Sequence, residues 1–305
     1  MNWFDNESYI EVCTPLEFDF SECLKFLGRS DQEMLHRIKG DNLYKLLKID
    51  GELILCKIVS NQTFIHVDFP LGTPTKRIRE KIAAYIGGWF DLESDLSHFY
   101  EMASNDKILQ SLTHKYYGLR MICIPDLFEA LVWAIMGQQI NLIFAYTLKK
   151  RFVEHYGECL TFEGETYWLF PSFERIASVN VNDLRELQFT SRKSEYIIDI
   201  AKSMASGELT QVMLLQKEDT HSVKKFLMGI RGVGTWTADY VIMKYLHDPN
   251  VFLIADVGLH NALKSQLGLN RKPTTEELQE MEIQWKGWQA YATFYLWRSL
   301  YDDTV

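Results

Sequence analysis

The pattern of hydrophobic and polar positions changes period near residue 92. Before it, apolar residues come in short β-favouring runs punctuated by turn residues. Leu53–Val59 and Thr63–Phe69 are two such runs, separated by Ser60-Asn61-Gln62. Tyr44–Ile49 reads as a preceding strand closed by Asp50-Gly51, a tight hairpin turn. Cys23–Arg37 has a more helical pattern, and Thr75–Ile86 reads as a helix started by Thr73-Pro74. Residues 1–95 therefore predict a small antiparallel α+β domain.

From Leu92 onward the strand signal almost vanishes. Helical periodicity runs through Leu96–Met102, Asn105–Lys115, Leu127–Tyr156, Val181–Leu187 and Glu195–Met204. It continues through Val223–Met228, Thr235–Leu246, Val257–Leu267 and Thr275–Leu300. Turn chemistry interrupts it at Pro125-Asp126, Gly157, Pro171-Ser172, Asp248-Pro249-Asn250 and Lys272-Pro273. Residues 96–305 read as an all-α body, divisible into helical subdomains 125–245 and 96–124 plus 246–305. The predicted fold class is α+β: an N-terminal antiparallel sheet domain, then a mostly α-helical body.

Within that body, residues 223–246 form two helical runs joined by Gly232-Val233-Gly234. Two glycines in three positions permit a very tight reversal, and the second helix opens with free N–H groups suited to a phosphate oxygen. Asp256 follows the apolar run Val251–Ile254 and starts another helical segment, a preferred N-cap position.

Composition adjusts this picture only in part. At 305 residues, 47% hydrophobic and 13% aromatic, the chain has enough apolar material for two or three domains around a large core. No apolar run is long enough to span a membrane, and the start MNWFDNESYIEV lacks the pattern of a secretory signal, so a cytoplasmic protein is expected. Cys13, Cys23, Cys56, Cys123 and Cys159 are scattered, which argues against a disulfide framework or a zinc site. The net charge of −9 is awkward for binding nucleic acid, because phosphate contacts dominate that affinity. A local basic face would still serve, with Lys149-Lys150-Arg151, Arg192-Lys193 and Lys224-Lys225 with Arg231 as candidates.

The stretch Leu227–Asp239 (LMGIRGVGTWTAD) resembles the helix-hairpin-helix element of the DNA glycosylases, with Arg231 where many relatives carry proline. Pro125-Asp126-Leu127-Phe128-Glu129-Ala130, followed by Gly137-Gln138-Gln139-Ile140, is similar to the entry of the helical body in the 3-methyladenine glycosylase II branch. The likeness covers roughly residues 91–301. It implies that Asp256 is the catalytic aspartate, a fixed anion beside the sugar cation that also orients or deprotonates water. Trp236, Tyr240 and Trp297 would wall the pocket of a flipped base, where cation–π attraction favours a positively charged alkylpurine. Arg231, Gly232, Val233, Gly234 and Thr235 would bind a DNA phosphate, and Gln138 and Gln139 would fill the gap left by the flipped nucleotide.

Bifunctional relatives carry a nucleophilic lysine where this chain has Trp236, which argues for water as nucleophile. Lys244, two turns further along the helix, is expected on another face. The implied partner is double-stranded DNA containing damaged bases, bound by a monomer that needs no membrane. No metal or cofactor is expected beyond a structural monovalent cation at hairpin residues 229–234, and no cysteine follows Cys159 to hold an iron–sulfur cluster. Two other readings remain: a bifunctional oxidised-base glycosylase and lyase, or a non-catalytic helix-hairpin-helix DNA-binding protein.

Overall fold

The computed structural model of the protein describes residues 1–61 and 63–304; Gln62 of the predicted turn and Val305 of the predicted body lie outside the described residues. Strands β1 (Trp3–Asp5) and β2 (Tyr9–Cys13) come first, followed by helix α1 (Phe20–Leu27), then β3 (Arg37–Lys39), β4 (Asn42–Ile49), β5 (Glu52–Ser60) and β6 (Phe64–Asp68). The six strands make one antiparallel sheet in the order β1-β2-β6-β5-β4-β3. β4 and β5 turn at Asp50 and Gly51, both at positive φ, as the predicted hairpin turn requires. β1 and β3, three residues each, are too short to register as strands, and the mostly apolar β2 was also not read as one; pairing with neighbouring strands holds all three.

The helical pattern over Cys23–Arg37 belongs to α1 alone, which starts earlier and ends at Gly28. Asp19 caps it by accepting from the Glu22 N–H at 3.1 Å. The loop that follows carries Arg29 and Glu33 toward the rest of the molecule. Helix α2 (Lys76–Trp89) packs on the sheet, and Ile10, Ile58 and Val67 share one buried cluster with its Ile82 and Ile86. That cluster runs on without a break into Phe99, Phe128 and Phe294 of the helical body.

The body continues with α3 (Ser97–Ser104), α4 (Leu109–Lys115), α5 (Leu127–Gly137) and α6 (Leu142–Tyr156). The single periodic run 127–156 is thus two helices, because Asn141 accepts from the Phe144 N–H at 2.8 Å and caps a new start. Strands β7 (Cys159–Phe162) and β8 (Glu165–Trp168) correct the expectation of an all-α body. Glu163 and Gly164, both at positive φ, turn this short hairpin. It covers the outer face of the N-terminal sheet, where Tyr167 packs with Leu46 and Leu55.

Helices α7 (Phe173–Ala177), α8 (Val181–Glu186), α9 (Ser191–Ala205) and α10 (Gln211–Leu215) lead to α11 (Thr220–Met228) and α12 (Thr235–Tyr245). The chain closes with α13 (Val257–Gln266), α14 (Thr275–Gln284), α15 (Gln289–Arg298) and a 3-10 segment over Ser299–Thr304. α14 and α15, read in sequence as one helix, are separated by Gly287 at φ 90°. α5 packs against α6, α9 and α12, whereas α15 packs against α4 and α13. A cleft opens between these two groups. Among the described residues, no helix is long and apolar enough to cross a membrane.

Candidate active site

The cleft is a cavity of about 1370 Å³, and α11, α12 and the turn between them form one side of it. At the turn Gly232 has φ 91°, and a Cβ built there would stand 2.3 Å from the Tyr196 ring, so only glycine fits. Gly234 differs: a Cβ there would meet nothing within 4 Å. It occupies the N-cap of α12, with its neighbour Thr235 exposed and Val233 buried beneath. The first N–H groups of α12 therefore face open space at the cavity rim, an anion-binding geometry.

Asp256 is the buried N-cap of α13, its Oδ2 accepting from the Leu259 N–H at 2.6 Å. Two further donors converge on the carboxylate. The Trp297 indole N–H donates to Oδ2 at 2.8 Å and the Trp236 indole N–H donates to Oδ1 at 2.9 Å. Three donors fix a charge-bearing group whose fourth lone pair stays available. Gly258 makes this possible. A Cβ there would lie 2.9 Å from Asp256 Oδ2 and 3.0 Å from Trp297 Nε1.

The same indoles belong to an aromatic wall. Trp236 stacks on Tyr240 with centroids 5.5 Å apart, and Tyr240 meets Trp297 at 6.2 Å. The expected trio therefore does come together, with Asp256 at its edge. The wall continues through residues the sequence reading did not single out: Phe26, Arg29, Trp133 and Tyr301. Phe26 and Arg29 come from α1 and the loop after it, so the N-terminal part of the chain helps build the cavity. No local motif marks them. Gly258 had a signal, since a glycine two residues after an N-cap aspartate leaves room beside its carboxylate.

Lys244 also lines this cavity, correcting the expectation that it lies on another face. Lys244 follows Tyr240 by four residues, about one turn, so it shares that side of the helix, and it stands about 12 Å along the axis from Trp236. Lys244 is therefore on the same side but at the far end from Asp256. Burial, and then Arg29 nearby, pull its amine down to about 7 against the opposing pull of Cys123 and Asp91.

Gln138 and Gln139 behave differently from each other. The Gln138 amide donates to the Gly232 carbonyl and to Thr237 Oγ1, both at 2.9 Å, tying the end of α5 to the hairpin. Gln139 is exposed at the cavity rim with φ 55°, a left-handed conformation uncommon outside glycine.

The proposed basic face is largely taken up internally. Arg231 pairs with Glu195 and, at 3.0 Å, with Asp199. Lys224 pairs with Asp239 at 2.7 Å, and Lys149 is buried against Glu33 at 3.0 Å. Lys193 is buried too, donating to the Met136 carbonyl at 2.8 Å, and burial lowers its amine to about 8. Adjacent basic residues on a helix point in different directions, so runs that look like one patch divide between surface and interior. Arg192 and Lys225 remain exposed.

A family model described as HhH-GPD superfamily base excision DNA repair protein matches residues 132–289. A second, for the N-terminal domain of 8-oxoguanine DNA glycosylase, matches residues 8–131. The chain is 45% identical over 305 residues to the DNA-3-methyladenine glycosylase of Bacillus subtilis, covering 99% of this chain and 100% of that relative. Its fold is similar to 3-methyladenine DNA-glycosylase from Archaeoglobus fulgidus, with a TM-score of 0.82 at 22% identity over 96% of this chain and 98% of that one. It is also similar to Clostridium acetobutylicum 8-oxoguanine glycosylase/lyase in complex with double-stranded DNA, with a TM-score of 0.77 at 16% identity over 100% and 99% of the two chains. With the hairpin, the capped aspartate and the N-terminal sheet all accounted for, the chain belongs to the HhH-GPD superfamily of base excision DNA repair proteins.

Proposed function

We propose that this protein is a monomeric, monofunctional DNA glycosylase that hydrolyses the N-glycosidic bond of alkylated purines of the 3-methyladenine type in double-stranded DNA. The observation that carries this reading is the carboxylate of Asp256, held by two indole N–H groups whose rings wall the cavity beside it. The relative at 45% identity bears the name DNA-3-methyladenine glycosylase, which agrees with it.

The damaged nucleotide leaves the stack and its base enters the cavity against the wall of Trp236, Tyr240 and Trp297. As the bond from C1′ to the base nitrogen breaks, its electron pair goes to the base, and a cationic alkylpurine departs neutral. Positive charge develops on the sugar, where the Asp256 carboxylate stabilises it. Water then attacks C1′ and gives its proton to Asp256, leaving an abasic sugar. Trp236 and Trp297 keep the carboxylate aimed during this sequence.

The hairpin binds a DNA phosphate through the N–H groups around Gly232, Val233, Gly234 and Thr235, and exposed Gln139 fills the space left by the flipped nucleotide. Arg231 acts at the margin of this contact, its charge already shared with two carboxylates. Gln138 supports the hairpin from within. Neutral carbonyls at 229–234 suit a monovalent cation better than a divalent one, although Ile230 and Gly232 already accept hydrogen bonds there.

The test is product analysis on duplex DNA carrying alkylated purines. Free 3-methyladenine should appear while the strand stays unbroken until alkali is added. Strand nicking with an adduct trapped by borohydride would instead establish a lyase that uses an amine nucleophile.

A further inference from the structure

The inner end of the cavity, away from Asp256, holds two cations. The Arg29 guanidinium lies 4.1 Å from the Phe26 ring centroid and 5.6 Å from that of Tyr146. The Lys244 ammonium lies 4.7 Å from the Phe294 centroid and 5.8 Å from that of Phe26. Phe26 is thus shared between them. Both side chains line the cavity with Trp133 and Tyr240. Lys244 is only 4% exposed, yet among the described residues no carboxylate pairs with it or with Arg29. Carboxylates are present in this interior, but Glu33 and Glu129 face Lys149.

A buried cation without a counter-ion is costly, and aromatic faces offset only part of that cost. The Arg29 guanidinium donates to the Phe26 carbonyl at 2.8 Å, which is a neutral acceptor, so an anionic or acceptor group that arrives with substrate can complete both cations. Resting on the glycosylase reading above, we infer that Arg29 and Lys244 form the end wall of the base pocket and hold the acceptor edge of the excised base, and so determine how well the enzyme handles uncharged bases relative to cationic ones.

The chemistry distinguishes the two substrate classes. A cationic alkylpurine leaves as a neutral molecule and gains nothing from positive charge behind it. An uncharged purine receives the bond's electron pair without a charge to cancel, so it departs as an anion. That negative charge spreads to ring nitrogens and an exocyclic oxygen, which face the guanidinium and ammonium donors. The anion is then protonated by the proton released when water adds to the sugar, so atoms and charge balance. For a cationic base the aromatic rings work against the end wall. For an uncharged one the wall supplies the stabilisation that the base itself lacks.

Single-turnover release from duplexes carrying one 7-methylguanine or one hypoxanthine tests this, since the first base is cationic and the second uncharged with carbonyl and ring-nitrogen acceptors. Lys244→Met, Lys244→Gln and Arg29→Met should each lower hypoxanthine release relative to 7-methylguanine release by about tenfold or more. Arg29→Lys should keep most of the wild-type ratio. The ratio is internal to each preparation, so partial loss of folded protein lowers both rates and leaves it unchanged. An unchanged ratio in all three neutral variants overturns the inference, as does a wild type that releases 7-methylguanine and no hypoxanthine. A wild type that releases neither base overturns the glycosylase reading itself.

Discussion

Asp256 illustrates how one residue serves two ends. As an N-cap it accepts from the Leu259 N–H, and as a site group it accepts from Trp236 and Trp297. The indoles are therefore part of the carboxylate's support as well as of the cavity wall. Gly258 is the residue on which this convergence depends. Gly258→Ala forces a Cβ into the space beside Asp256 Oδ2 and Trp297 Nε1, so base release should fall by about tenfold or more while the melting temperature changes little. Wild-type release rates for this variant would mean that the carboxylate's placement is less constrained than the packing implies. At this scale, Asp256, Trp236, Tyr240 and Trp297 were legible because each sits in a recognisable motif or helix stripe. Phe26, Arg29, Trp133 and Tyr301 were not, because they meet only after distant elements pack.

Among the elements, the hairpin separates two roles that the sequence pattern presents together. Gly232 is required by its backbone angle and by Tyr196 behind it, whereas Gly234 opens outward. Aspartate is a good N-cap, so Gly234→Asp should leave the fold intact or slightly more stable. It also puts a negative charge at the proposed phosphate contact. Affinity for abasic-site DNA, measured by fluorescence anisotropy, should fall by about tenfold or more. Undiminished affinity in a folded variant would make the hairpin a structural corner only. Most of the element pattern could be read from periodicity and turn residues, including the β4–β5 turn and the start of α2. The short strands β1, β3, β7 and β8 escaped, since three or four residues carry too little alternation to be seen, and the five-residue β2 escaped with them. The break between α5 and α6 escaped too, because apolar spacing continues across Asn141.

The whole molecule is held together across its two textures by buried contacts. Glu33, from the loop after α1, accepts from Lys149 of α6 at 3.0 and 3.1 Å. Burial alone would raise the Glu33 carboxyl, but Lys149 holds it well below the usual range. Lys149→Met removes the cation that faces Glu33 and leaves its carboxylate only the Met34 and Leu35 N–H groups at 2.8 Å, which should cost about 3–5 kcal/mol in urea unfolding. Adding Glu33→Gln should restore a substantial part of that loss. A single variant as stable as wild type would contradict the pairing. Internal pairing of this kind also explains why runs of lysine and arginine overstated the basic surface. It consumes Lys149, Lys224 and Arg231, so these runs of a chain of net charge −9 leave few unpaired cations. The central claim remains that the carboxylate, rather than an amine, carries the chemistry at the cleft between the two helical groups. Asp256→Asn tests it most directly, because the asparagine carbonyl oxygen still caps α13 and still accepts from Trp297, whereas the charge and the acceptor for Trp236 are lost. Base release measured under single turnover should drop by about a hundredfold or more with abasic-DNA affinity nearly unchanged; release at the wild-type rate would contradict the account.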